Sequence, residues 1–198
     1  MRATLDKLIS ATGLLIALVL LVAGGLLWWA SSFAGNQVHD QLAMQGITMP
    51  EKAALETAAQ HKALDKYAGQ QLLTGPQAKA FADHYILVHM NAASGGKTYE
   101  QISGEYIGLS DAAKASPEGQ QLGQLRQTLF MGNTLRGLLL YGYAFATIGT
   151  IAGFASIVCF VGAALLGLLG IVGLVHAKRV RESDKVAVAK VGAPPVGV

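Results

Sequence analysis

The charged residues of this chain leave two long apolar gaps. No Asp, Glu, Lys or Arg occurs between Lys7 and Asp40, and none occurs between Arg136 and Lys178. A helix needs about 20 apolar residues to cross a hydrocarbon core of roughly 30 Å. Both gaps exceed that length, so the hydropathy pattern predicts two transmembrane helices.

The predicted first span, residues 8–34 within the first gap, has a rival interpretation as a cleaved signal peptide. The apolar core of a signal peptide is only about 7–15 residues long, and this segment is much longer, so an uncleaved anchor is favoured. Aromatic residues mark the ends of membrane spans. We expect Trp28 and Trp29 to be interface anchors of the first span, and Tyr141 and Tyr143 to serve the second.

Helix start and stop signals recur between the spans, in residues 35–136. Residues 48–51 (TMPE) have the form of a capping box and predict a helix over residues 51–68. Residues 74–77 (TGPQ) repeat the signal and predict a second helix that ends at Gly95. Two helices of equal length joined by a short turn are expected to form an antiparallel hairpin.

Two further helices are predicted before the second span. One runs from Tyr99 to about Leu109. The other begins with Ser116 as its cap and Pro117 at its first position, and no proline interrupts it before Pro194. The predicted fold is an all-α membrane protein in which two transmembrane helices flank an extracytoplasmic helical domain. The second span continues outward as a long helix.

The basic residues outside the spans predict the orientation. Arg2 and Lys7 precede the first span, and Lys178, Arg179 and Arg181 directly follow the second. Cytoplasmic flanks carry an excess of Lys and Arg. Residues 1–7 and the tail 178–198 are therefore expected in the cytoplasm. The predicted location is the plasma membrane, with two spans and about residues 35–150 extracytoplasmic.

Two partner classes are not expected. Residues 35–136 hold nine acidic and eight basic side chains, a balance that offers no basic surface for nucleic acid. The segment NAASGGKT at residues 91–98 ends like a phosphate-binding loop. However, it has Asn where that motif needs Gly, and it follows a predicted helix instead of a strand. No nucleotide is expected there.

The second apolar segment, residues 137–177, is too long for one crossing. Residues 137–175 contain no charge, and as a helix they would extend roughly 58 Å, nearly twice the hydrocarbon thickness. With the cytoplasmic end at Lys178, the membrane-embedded part is about residues 152–175. Residues 137–151 would then lie outside the membrane. An exposed apolar helix there favours association, so we expect it to be covered by the domain itself or by another chain.

Glycines and other small residues predict close helix packing. Gly149 and Gly153 have the four-residue spacing that lets membrane helices approach. Ser156 continues that face, and Gly24 with Gly25 offers a similar site in the first span. The partner of this surface is either the first span of the same chain or a second copy of the protein.

Candidate chemistry is sparse. An antiparallel hairpin would bring His61 opposite His84, a weak candidate pair of metal ligands, although solvated histidines are the better interpretation. Cys159 is the single cysteine, and it lies within the second span. The sequence has no nucleophile elbow and no HExxH motif. No catalytic residue and no cofactor is predicted, and the chain is not expected to be an enzyme.

Three functions are compatible with this pattern. The favoured one is a structural, oligomerising or accessory subunit of a membrane assembly, with the lipid bilayer and either itself or a larger complex as partners. The second is a homo-oligomeric pore, for which the spans provide no charged selectivity ring. The third is the input module of a sensor, which would need a separate output protein.

The opening residues 1–42 resemble an uncharacterised family of actinobacterial two-span membrane proteins, as do residues 67–86 and the run LRGLLLYGYAF at 135–145. Relatives are often labelled aromatic ring-opening dioxygenases. A non-haem iron oxygenase needs two histidines and a carboxylate on one face of the metal, and no such triad stands out here. The resemblance therefore implies membrane location and a shared architecture, not an activity.

Overall fold

The computed structural model describes the backbone of residues 2–191 and the side chains of residues 4–183. The described part is all-helical and contains no β-strand; Thr48 and Gln71 form one isolated bridge. The seven α-helices are α1 Arg2–Met44, α2 Ala58–Leu64, α3 Gly75–Phe81, α4 Leu87–Ser94, α5 Tyr99–Ile107, α6 Asp111–Ala115 and α7 Pro117–Val191.

The chain divides into two compact units. One comprises Ser32–Thr150, and the other is formed by the segments up to Ser31 and from Ile151 onward. Each is described separately here as the domain unit and the span unit.

Two helices are long and apolar enough to cross a membrane: α1 from Thr4 to Met44, and α7 from Pro117 to Ser183. Only 17% and 11% of their most apolar windows is buried. A core helix of a water-soluble domain would have most of such a window buried. The low burial therefore agrees with surfaces that face lipid.

The prediction of one helix over residues 51–68 is wrong. Residues 52–54 form a single 3₁₀ turn that ends at Leu55 in extended conformation, and α2 begins only at Ala58. The capping box is not at 48–51 but at Thr57, whose side chain accepts from the backbone N–H of Gln60. Thr48 is extended instead because Met49 N–H bonds to the Gln70 carbonyl at 2.8 Å.

The second predicted helix is confirmed in both its boundaries. Thr74 caps α3 through a complete capping box with Gln77, and α4 ends at Gly95, which has φ 61° in the left-handed region. A π-helical turn, Ala82–Ile86, joins α3 to α4. This rod of 20 residues faces a much shorter α2, so the expected hairpin of equal helices is wrong.

The remaining helix predictions agree with the structure. Thr98 caps α5, which extends to Ile107, and the short α6 follows it. The Ser116 hydroxyl accepts from Gly119 N–H at 3.2 Å at the start of α7. Helix α7 then continues unbroken to Val191.

The core of the domain unit is built from large apolar side chains. Leu64, Leu72 and Leu139 are fully buried, and α7 therefore contributes to the same core as the segments that follow α1. The other buried members are Val38, Leu42, Met49, Leu55, Ala78, Phe81 and Ala82.

Candidate interaction surfaces

Small residues face each other in the span unit. On α1, Ser10, Ala17 and Gly24 are buried and follow each other every seven residues. The spacing is the same on α7, where the buried small residues are Ser156, Ala163, Gly170 and Ala177. A seven-residue repeat keeps one face of a helix against its partner in a left-handed supercoil. These residues are called the span seam below.

Contacts at the glycines show how close the two helices are. A Cβ atom at Gly24 would lie 3.0 Å from the ring of Phe160 and 3.3 Å from Cβ of Cys159. A Cβ atom at Gly153 would lie 2.9 Å from the Ser31 hydroxyl. Larger side chains would force the helices apart, so these glycines serve the packing of α1 against α7.

The other predicted packing residues differ among themselves. Ser156 is only 2% exposed, and its hydroxyl donates to the Gly153 carbonyl at 2.7 Å. Gly149 is buried in the domain unit. Gly25 has open space where a Cβ atom would stand, because it lies on the side of α1 that turns away from the seam.

One side of residues 137–150 is covered by the domain unit itself. Leu139 is fully buried. A Cβ atom at Gly75 would lie 2.5 Å from the Ala146 methyl and 3.2 Å from the Tyr143 Cα, so the first turn of α3 sits directly on α7. Leu42 of α1 reaches Gly142. The expected cover is therefore supplied in part by the same chain.

The opposite side of this segment is exposed and apolar. Leu138, Tyr141, Phe145 and Ile148 are 56–67% exposed, and Met131 one heptad earlier is 55% exposed. Their spacing of seven, three, four and three residues is that of a coiled-coil seam. We call these five residues the α7 stripe. The domain unit covers only the other side of this segment, so the α7 stripe stays exposed in the monomer.

The predicted aromatic anchors occupy different surroundings. Trp28 and Trp29 are each 64% exposed on α1. Tyr141 belongs to the α7 stripe, whereas Tyr143 is half-buried and has the Lys79 ammonium 5.4 Å from its ring centroid. Tyr143 thus packs inside the domain unit.

An ion cluster ties the α3–α4 rod to α7. The Asp83 carboxylate, in the π-helical turn, accepts from Arg136 at 2.9 Å and from Lys79 at 2.6 Å. Arg136 and Asp83 are 28% and 21% exposed. Partly buried charge-assisted bonds of this kind are stronger than exposed ion pairs, so the cluster fixes the register of the rod against α7.

Burial alone would raise the pKa of Asp83, but the hydrogen bonds and charges of Lys79 and Arg136 lower it overall from the ordinary value of 3.8. Because the charged form is favoured in the folded domain, this carboxylate stabilises the fold above that pH.

The two candidate histidines lie on different elements of the domain unit. His61 Nδ1 lies 2.9 Å from Oδ1 of Asp65, the residue that directly follows α2, and both side chains are about two-fifths exposed. His84 lies in the π-helical turn. Within residues 4–183, no group of three His, Cys, Asp or Glu side chains is placed to hold a metal ion.

Comparison of the chain with protein-family models, with curated proteins and with solved structures finds no match.

Sequence reasoning missed two of these features. The Asp83–Arg136 pair joins residues 53 positions apart, and no local pattern identifies such a pair. The heptad repeat of the α7 stripe is visible in the sequence. Which of the apolar positions of α7 remain exposed depends on where α1 and α3 cover the helix.

Proposed function

We propose that this chain is a two-span protein of the plasma membrane whose extracytoplasmic helical domain joins copies of itself through the α7 stripe. Its role is that of a non-enzymatic structural subunit of the resulting membrane assembly. The observation that carries the proposal is the exposed, heptad-spaced α7 stripe on a helix whose opposite side is already occupied by its own domain.

The length of the spans supports placing this stripe outside the lipid. From Lys7 to Trp28 there are 21 residues, about 32 Å of helix, which matches the hydrocarbon thickness. Counted back from Lys178, a span of equal length ends near residue 157. The stripe at residues 131–148 then faces water in a lone monomer, which an apolar face of this size disfavours.

A second copy suits the stripe better than an unrelated partner. Its residues follow a coiled-coil spacing, and two parallel copies anchored in one membrane would present identical seams to each other. The pore alternative gains less support, since the hydroxyls of Thr147, Thr150 and Ser156 donate to carbonyls of their own helix at 2.7–2.9 Å.

Cysteine crosslinking in native membranes tests the proposal. In a Cys159→Ser background, Phe145→Cys should give disulfide-linked dimers under mild oxidation, because stripe residues of two copies would meet. Lys62→Cys, on the exposed face of α2, is the matched control and should stay monomeric. A disulfide between Phe145→Cys and a different protein would show that the stripe binds that protein instead of a second copy, which is the role of an accessory subunit. Equal crosslinking at both positions, or none at either, contradicts the stripe as an interface.

A disruptive variant provides a second readout. Phe145→Glu places a charge on the stripe at a side chain that is 60% exposed, so the domain should stay folded. The assembly should then shift to monomers in mild detergent, as measured by light scattering. An unchanged assembly size would show that the copies associate elsewhere.

A further inference from the structure

A cleft opens in the span unit between the first turns of α1 and residues 174–181 of α7. It has a volume of about 460 Å³. The side chains that line it come from both helices: Thr4, Lys7, Leu174, Ala177, Lys178 and Arg181.

The lining of the cleft is positively charged. Lys7, Lys178 and Arg181 contribute three cations, and no carboxylate is among the lining residues. Within residues 4–183, none of the three is part of an ion pair. Asp6 and Glu182 are their neighbours in sequence but do not line the cleft. Three like charges repel each other, and an anion between them would relieve that repulsion.

The cleft also borders apolar surface. Ala177 is only 6% exposed and Leu174 is half-buried, so together they form an apolar floor. Beyond the cleft, Leu8 and Val172 are 63% and 64% exposed on the lipid-facing sides of α1 and α7. A ligand that fills the cleft would therefore meet charge at one end and a hydrocarbon-compatible surface at the other.

We propose that this cleft binds the phosphate-bearing headgroup of an anionic phospholipid, whose acyl chains lie along the exposed apolar faces of α1 and α7. Arg181 can donate two parallel hydrogen bonds to a phosphate, and the two lysines act as point charges beside it. Three cations match a headgroup with two phosphates better than one with a single phosphate. Basic pockets between membrane helices on the cytoplasmic side recognise such lipids by this chemistry.

Membrane insertion alone does not account for this arrangement. The positive-inside rule counts Lys and Arg residues near a span, and it does not require their side chains to converge on one cleft. Arg179 separates the two effects, because it lies between Lys178 and Arg181 in the sequence yet does not line the cleft. Arg179 should contribute to membrane insertion as much as Lys178 or Arg181 does, but it should contribute little to lipid binding.

Lipid titration of the full-length protein in a neutral detergent, followed by native mass spectrometry, tests the proposal. Dioleoylphosphatidylglycerol and tetraoleoyl cardiolipin are the anionic probes, and dioleoylphosphatidylcholine is the neutral one. Lys178→Gln and Arg181→Gln should each weaken binding of the anionic lipids about fivefold, and Arg179→Gln less than twofold. Equal losses for all three variants, or no preference over phosphatidylcholine, would overturn the site.

A second pair of variants leaves every basic residue in place. Thr4→Asp adds a negative charge to the cleft and should weaken anionic-lipid binding at least fivefold, whereas the neutral Thr4→Asn should not. Inorganic phosphate and glycerol 3-phosphate test the other source of the same chemistry. If either displaces the lipid at millimolar concentration, the cleft binds free phosphate and not a lipid. The proposal rests on the membrane placement alone, and fractionation of cell membranes checks that placement independently of the lipid titration.

Discussion

The domain unit and the span unit pack by opposite rules. In Ser32–Thr150, large side chains such as Leu72 and Leu139 are fully buried. In the span unit the buried positions are small, while large residues such as Phe154 and Leu169 are 68% and 67% exposed. Burial of apolar area drives folding in water. Between helices in lipid that drive is absent, and close packing through small residues, as in the span unit, is typical of such helices.

Polar groups follow the same division. The domain unit uses them to join separate elements, as Asp83 does with Arg136, and Arg126 with Ser103 at 2.9 Å. In the span unit, the Ser156 hydroxyl bonds to a carbonyl of its own helix. A polar group without a nearby partner is costly in lipid, whereas water satisfies exposed polar groups at little cost.

Replacing a buried leucine should give the largest effect. Leu139→Ala removes a fully buried side chain and should lower the free energy of unfolding of the domain unit by about 2–5 kcal/mol. Its neighbour Leu138, 56% exposed, is the matched control, and Leu138→Ala should cost less than about 0.5 kcal/mol in the monomer. Urea denaturation followed by tyrosine fluorescence measures both. Equal losses in the free energy of unfolding would contradict the assignment of Leu139 to the buried side of α7 and of Leu138 to its exposed side.

Enlarging a seam residue should break the packing of the spans. Gly24→Leu forces a side chain against Phe160 and Cys159 and should cost about 1–3 kcal/mol. Gly25→Leu, where space is open, should be close to neutral. Unfolding of the purified protein by SDS titration, monitored by the fluorescence of the tryptophans on α1, compares the two variants. If Gly24→Leu and Gly25→Leu unfold at the same SDS concentration, the span seam does not hold the two helices together.

Breaking the ion cluster should produce an effect of about 1–3 kcal/mol that depends on pH. Asp83→Asn leaves Arg136 without its charged partner. The pKa of Asp83 is lowered in the folded state, so its stabilisation is present above about pH 4 and is lost as the pH falls further.

We therefore expect the difference in melting temperature between wild type and Asp83→Asn to become smaller below about pH 4. Thermal unfolding measured between pH 3 and pH 7 checks this. If this difference in melting temperature does not change with pH, the charge of the Asp83 carboxylate does not stabilise the fold. Lys79→Gln, at a side chain 47% exposed, should cost less than about 1 kcal/mol.

Removing a helix cap should give the smallest effect. Thr57→Ala deletes the cap of α2 and should cost about 1 kcal/mol. Thr48→Ala alters a residue whose backbone, not its side chain, pairs with Gln71, and it should change stability less. Hydrogen exchange of the α2 amides provides the local readout. Faster exchange of the α2 amides in Thr48→Ala than in Thr57→Ala would show that the capping box lies at residues 48–51, as the sequence predicts.

Local signals in the sequence predicted those elements whose cause is local. Each of these elements depends on residues within one helical turn or on the lack of a proline: the caps at Thr74 and Ser116, the stop at Gly95 and the unbroken course of α7. Two long apolar helices likewise follow from hydropathy alone, because long runs without a charged residue are visible in the sequence.

The predicted helix over residues 51–68 is wrong, and its start signal is not unique in the sequence. Both Thr48 and Thr57 are followed three residues later by Glu or Gln, so the capping signal is ambiguous. The backbone bond from Met49 to Gln70 extends the chain at residues 48–49, and the helix begins at Ala58 instead. This bond joins residues 21 positions apart, and only the folded domain brings them together.

The sequence by itself determined the helical class, the two apolar segments and several of the helix boundaries, since these depend on neighbouring residues and on the length of an apolar run. The tertiary structure decided which glycines lie in the span seam, which side of α7 stays exposed, and that Lys7 shares a cleft with Lys178 and Arg181. Each of these depends on the rotation of one helix against another, which the packing of distant side chains sets.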